Sequence, residues 1–493
     1  MPEFPGFIGP SYIAPSITQD DQELINLFVE IDPTKQQGER GYASLYPTPG
    51  LAIRSIAGLG PIRGLWTIPG GTLCFVVSGS GVAAFSGNFF GVPTLVATLL
   101  SSFGPVSMTD NGMELFIADG VARYAFNWST AVFTVLTDGP WTSPNSADIV
   151  DVIDNFVIYN NPGTNQWAAT SAGSHATPAL SFGRKDSTPD NIVSLIVNRR
   201  EIYLLGERTT EVWVDAGTFP FPFQRLDGAV MQHGCTAKFS AARLGESFAW
   251  LAQDSRGESI IVTISGNYEP VRISTHAVES DIAAFPIVSD ATAYTYQQEG
   301  HEFYVINFPS GDRTWVYDLA NGAWHKRAWR DTNNVLHRHR GNCMAFFQGL
   351  CLVGDWQNGN IYSYSLTKFV DEVANTFGSA NPMPISCIRR APHLTTELKR
   401  QFFHDFQIQF QPGVGLQTGQ GSNPQAMLRW SDDGGSTWSS EHWVSIGKVG
   451  KYKNRARWQR LGQARDRIFE VQVTDPVYRT MVSANINYSA GGS

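Results

Sequence analysis

The sequence predicts an all-β fold, a β-propeller of about six to seven blades followed by a C-terminal antiparallel β-sandwich-like module. Three observations carry that expectation. A pair of short apolar strands around a Gly, Asn or Asp turn recurs seven times, from Leu73, Leu115, Phe156, Ile202, Phe248, Phe303 and Leu350, and the spacing of the starts falls in or near the roughly 40 to 50 residues of a propeller blade. The 47 glycines and 27 prolines are scattered rather than massed, as many tight turns require. Charged residues make up 16% and hydrophobic ones 42% of the 493; an ordinary chain carries about 25% charged, so disordered and coiled-coil readings fall away.

Taken in order, residues 1–50 read as an extended arm that closes or braces the ring. Gln22–Ile31 (QELINLFVEI) is the one early stretch that could pass for a short helix, although its alternation also fits a strand. Residues 51–385 read as the propeller. Between residues 64 and 109 there is no Asp, Glu, Lys or Arg, but glycines and a proline interrupt the run too often for a membrane span of about 20 residues, so it reads as buried strands. The sixth hairpin adds Val316-Tyr317-Asp318, Asn321-Gly322 and Trp324, similar to a kelch-like blade edge. The run Thr376–Pro384 reads as a hinge. Residues 386–493 read as the sandwich-like module, with QFFHDFQIQF, MLRWSDDGGSTW, RARWQRLGQ, RIFEVQV and MVSANINYS as its strands.

The formal net charge of -8 divides unevenly, with -14 in residues 1–385 and +6 in residues 386–493. No global basic excess draws the chain onto nucleic acid or an anionic membrane. The five cysteines have neither CxxC pairing nor the density of a disulfide scaffold, which points to a reduced compartment. The opening MPEFPGFIGPSY lacks the basic and apolar regions of a signal peptide.

Two constellations stand out. Ser431, Asp433, Gly435, Thr437 and Trp438 fit an Asp box, a hairpin turn in which the carboxylate accepts turn N–H groups, the glycine permits positive φ and the indole covers the loop; it reads as a structural turn. Lys448, Lys451, Lys453, Arg455, Arg457, Arg460, Arg465 and Arg467 form a basic stretch broken only by Asp466. A strand there would put Arg455 and Arg457 on one face and Trp458 against the core. That stretch is a candidate docking face for an acidic partner subunit, or a phosphate contact with nucleic acid, weighed against a plain charged outer face.

No catalytic carboxylate pair is placed. Asp110, Asp119, Asp254 and Asp312 sit at turns, and glycoside hydrolysis needs two acids across a cleft. His337-Arg338-His339-Arg340, with Cys343 and Cys351 downstream, is a poor zinc site because the arginines repel the cation; it reads as a solvated loop or interface contact. No nucleotide-binding motif or nucleophile elbow is present. The expectation is a non-enzyme with no metal and no cofactor.

The order of several segments resembles a known family, the packaged-DNA stabilisation proteins of short-tailed bacteriophages, also called tail accessory, hub or nozzle proteins. The segments are Gly9-Pro10-Ser11-Tyr12, Ile25-Asn26-Leu27-Phe28, Leu45-Tyr46-Pro47-Thr48-Pro49-Gly50-Leu51, Asn198 to Gly206 with Thr210-Glu211-Val212-Trp213, Gln232-His233-Gly234-Cys235, the Asp-box hairpin and Thr474-Asp475-Pro476-Val477. The resemblance implies a virion tail protein made in the host bacterial cytoplasm. It would be a homo-hexamer below the portal and its adaptor ring that retains packaged DNA, seats a needle or plug and forms the ejection channel for double-stranded DNA, with tail fibres or spikes as further neighbours. The competing readings are a carbohydrate-binding or sialidase-like propeller and a DNA-binding module centred on the basic stretch.

Overall fold

The computed structural model describes residues 1–36, 39, 41–86, 91–141, 146–253, 256–374 and 380–491. Seven small sheets follow one another around a ring among the described residues. Blades one to six span residues 62–98, 107–136, 150–184, 192–225, 234–272 and 292–326. Each of the seven recurring hairpins supplies the two middle strands of one blade, for example Leu73–Ser78 with Gly81–Ser86. These strands are almost wholly buried because both of their faces pack on neighbouring blades, Val76 and Val77 alike being 0% exposed.

Blade seven consists of Gly341–Phe347, Leu350–Asp355, Asn360–Ser365 and, on its outer side, Gly50–Ile56 from the start of the chain. That last pairing, Tyr362 with Ile53 and Tyr364 with Leu51, ties the two ends of the propeller together. The strand that does so begins at the last residue of the predicted arm. At the axis, a cavity of about 260 Å³ is lined from every blade, by Trp66, Met108, Val150, Leu195, Ala241, Ala293 and Cys343 among others. That volume is below the roughly 300–1,000 Å³ of sites for drug-sized ligands, too little for a DNA duplex. The strand content leaves room for a single helix among the described residues, His276–Ala283, capped by Thr275.

Gln22–Ile31 is extended, as two strands rather than a helix. Asp21–Ile25 and Leu27–Ile31 are divided by Asn26, whose φ of +56° breaks the strand and sends its halves into different sheets. Asp21–Ile25 lies between blade six and the C-terminal region, parallel at Ile25↔Lys326 and antiparallel to Cys387–Arg390. One hydrogen-bonded sheet therefore runs from blade six through the arm into Asp466–Val473, Gln425–Ser431 and His442–Ser445. The facing sheet joins Leu27–Ile31 and Ala43–Pro47 to Met481–Ala490, Gln401–Phe410 and Ala456–Gln459. Phe406 stacks on Phe469 at 5.2 Å between them, and Phe4 of the arm meets Phe406 edge-on at 5.7 Å.

The seam is polar as well as apolar. Asn26 donates through Nδ2 to the carbonyls of Ala328 and Ser386, both at 2.8 Å, and its Oδ1 accepts from Ala328 N–H at 3.0 Å. Arg390, largely buried, gathers Asp21 at 2.8 Å, Glu23 at 3.3 Å and Glu470 at 2.8 Å, while Lys326 of blade six reaches Glu23 at 3.1 Å. Burial pushes the Glu23 carboxyl up, but Lys326 and Arg390 overrule it and hold it at about 2. His301 of blade six lies between Asp318 at 2.7 Å and Glu30 of the arm at 2.5 Å. The hydrogen bond to Asp318 outweighs burial, and with Glu30 it raises the imidazole to about 9.

Two readings are corrected here. The His337–Arg340 run is not a solvated loop: Arg338, His339 and Arg340 are 7%, 2% and 4% exposed. The guanidiniums of Arg338 and Arg340 lie over the rings of Trp356 and Trp329 at 4.0 and 3.9 Å, which lets cations lie inside. No cluster that could hold a metal ion occurs among the described residues. In the predicted hinge, residues 376–379 lie outside the described residues, as does Asp254; the remainder, Ala380–Pro384, is a strand paired with Val370–Ala374. All five cysteines are free, and no described helix is long and apolar enough to cross a membrane.

Candidate interaction surface

The basic stretch divides into an exposed part and a buried part. Ala456–Gln459 is the edge strand beside Gln401–Phe410, in register Ile408↔Ala456 to Asp405↔Gln459. Alternation turns Ala456 and Trp458 into the core, where Trp458 is 4% exposed and donates through Nε1 to His442 O at 2.8 Å, and turns Arg455 and Arg457 outward. Arg457 is paired, its Nη2 lying 2.8 Å from Asp405. Arg465 donates to Leu398 O at 3.0 Å. The exposed side chains of Lys448, Lys451, Lys453, Arg455 and Arg460 make no hydrogen bond or ion pair among the described residues.

Arg467 is a correction to the predicted exposed set. It is 2% exposed, sits over the Phe403 and Trp430 rings at 4.7 and 5.1 Å, and bonds Asp432 through Nε at 2.5 Å and Nη2 at 2.7 Å. Its strand, Asp466–Val473, is covered on both faces, so a surface contact is closed to it. Asp432 lies in the hairpin that carries the Asp box.

The box itself is satisfied internally. Asp433 accepts from Thr437 N–H at 2.8 Å, Thr437 Oγ1 at 2.6 Å and Ser431 Oγ at 2.7 Å, and these bonds hold its carboxyl at about 2. Gly435, at φ +96°, donates to Ser431 Oγ at 2.8 Å, and a Cβ there would stand 2.7 Å from Asp21 Oδ2. Trp438 donates to Gly435 O at 3.1 Å and lies between Arg390 and Arg429, at 4.9 and 4.8 Å. The motif thereby backs the seam.

A groove of about 640 Å³ opens on the outer face of the second sheet. The ladder between the two strands ends at Ile408↔Ala456, and from Arg455 back to Tyr452 the chain stands away to form a wall. The floor carries Gln407 and Gln409, with Asn485 and Glu3 opposite. Sequence reading missed these residues. A bulge between Phe403 and Asp405 shifts the alternation of QFFHDFQIQF, and the shifted phase, with glutamines at every second position, was the available signal.

The comparisons with known proteins bear on this architecture. A family described as bacteriophage P22 Gp10, beta-propeller, matches residues 19–368, and its companion, bacteriophage P22 Gp10, beta-sandwich, matches residues 387–489. The chain belongs to the bacteriophage P22 Gp10 family. Membership gives the chain a structural role in a phage virion and accounts for both halves of the fold. No curated protein matches the sequence. Among solved structures, the N-terminal domain of Nup159 is similar at 9% identity, covering 69% of this chain and 98% of that one with a TM-score of 0.39. The WD40 propeller domain of Doa1 is similar at 10% identity, covering 64% and 97% with a TM-score of 0.40.

Proposed function

We propose that this Gp10-family chain is a non-enzymatic component of a short phage tail, assembling as a sixfold ring below the portal and its adaptor. In this reading the ring retains packaged DNA, seats a needle or plug, and leaves the ejection passage between copies rather than through any one propeller. Residues 1–50 act as the brace, 51–385 as the wall and 386–493 as the docking module. The observation that carries the reading is the uneven charge along one body, with residues 1–385 at -14 and residues 386–493 at +6, the two joined by a continuous sheet.

An acidic wall does not hold a duplex, because every phosphate neutralised by Lys or Arg adds salt-sensitive affinity and hence drag. A basic module on the same body gives copies and neighbours complementary faces, which steers assembly. The glycan reading draws no support from the Asp box, whose polar groups are committed within the turn. Cryo-EM of the intact particle is the test. Density for this chain in a sixfold ring on the portal axis is expected; density confined to peripheral fibres, or found nowhere in the virion, overturns the reading.

A further inference from the structure

We infer that the groove beside Tyr452–Arg455 binds an extended, carboxylate-rich segment of a partner protein. Its volume of about 640 Å³ lies within the range of sites that enclose a ligand. Its wall is built rather than loose. Gly413, at φ +78°, lets the Tyr452 ring lie against the backbone, where a Cβ would stand 2.6 Å from the ring, and Gly415 comes comparably close to Val449. Asn454 Nδ2 donates to Ser445 O at 2.6 Å, which fixes the point at which the chain leaves the ladder.

The lining selects the ligand chemistry. Lys453 and Arg455 line the wall without partners among the described residues, with Lys448 and Lys451 in the adjoining turn, and Glu3 is the one carboxylate of the lining. Unpaired cations in excess favour an anion. The amide of Gln407 presents both a donor and an acceptor, and that of Asn485, which spends one proton on Met1 O at 3.4 Å, keeps a second proton and its oxygen, which matches the alternating N–H and C=O groups of a peptide. A phosphodiester backbone offers acceptors alone and leaves the amide oxygens of the floor unmatched. The choice of a protein source rests on the assembly reading above, whereas the affinity of the groove for carboxylates does not.

The test uses the full chain and a fluorescein-labelled dodecapeptide of alternating Glu and Ser, followed by fluorescence anisotropy at about 0.15 M salt. Lys453→Glu with Arg455→Glu is expected to weaken binding at least about tenfold. Asn485→Ala should weaken it severalfold, and Arg460→Glu, outside the groove lining, should leave it within about twofold. Because Lys453 and Arg455 are exposed and unpaired, the double variant should keep its melting temperature, and hydrogen exchange should show peptide-dependent protection at residues 407–410 in the wild type alone.

Peptide binding that survives the double reversal overturns the proposal. So does tighter binding of a short DNA duplex or a sulfated oligosaccharide that the same double reversal abolishes. If the peptide binds but the particle shows no ring, the assembly reading fails and the groove stands; a ring whose chain ignores the peptide gives the converse.

Discussion

Arg467 and Arg455 belong to one basic stretch of sequence and occupy opposite environments. Arg467 lies in a strand covered on both faces, between aromatic rings and against Asp432, while Arg455 stands in water beside a groove with no partner among the described residues. The same division separates the seam, where Arg390 and Lys326 are enclosed by Asp21, Glu23 and Glu470, from the rim at Lys448–Arg455. What a cation does here follows from strand register and from what faces it, because a buried charge persists only when paired, whereas an exposed one is left for other molecules.

Substitutions can break that comparison, and the largest effect is expected at Arg390. Arg390→Ala leaves Asp21, 3% exposed, without a counter-ion and leaves Glu470, 1% exposed, with Arg429 alone. A loss on the order of 3–5 kcal/mol in denaturant unfolding should follow; a loss below about 1 kcal/mol would put the seam in the class of surface ion pairs. Asn26→Leu comes next, at about 2–4 kcal/mol, since it removes three hydrogen bonds, one buried and two part-buried, and places a bulky residue at φ +56°. Asn26→Gly should recover the backbone part alone.

The third effect depends on pH. His301 titrates at about 9 in the folded chain against 6.5 unfolded, so its contribution is complete below pH 6.5 and disappears as pH rises from there through about 9. Melting temperature should decline across that window, and less steeply in Glu30→Gln; parallel slopes would show that the bridge from arm to blade six contributes nothing. Smallest of all, Lys453→Ala with Arg455→Ala should change stability by no more than about 0.5 kcal/mol, which separates rim from seam by magnitude alone.

The local elements of the fold were legible because their determinants are local. All seven hairpins announced themselves by alternation and turn residues, and the strand of Ala456–Gln459 had the facing that its spacing requires. The arm was less legible. Ile25 finds its ladder partners at Lys326 and Ile388, far off in sequence, and one positive-φ asparagine decides that its two strands enter different sheets. The His337–Arg340 run misled because alternating cations look solvated in one dimension, while the tryptophans that receive them, Trp329 and Trp356, lie in flanking segments. The groove was hidden for a similar reason, since a bulge reset the pattern of the strand that forms its floor.

The arm also sets a timetable. Asp21–Ile25 and Gly50–Ile56 leave the ribosome early, yet their partners, Lys326, Asn360–Ser365 and Cys387–Arg390, emerge some tens of seconds later at about 5–20 residues per second. Until then the outer strand of blade seven and the arm strand that joins the sandwich have no ladder partners outside the arm. Ring closure therefore waits for Asn360–Ser365, and the sheet that carries the basic rim waits longer still, for Gln401–Phe410, Ala456–Gln459 and Met481–Ala490.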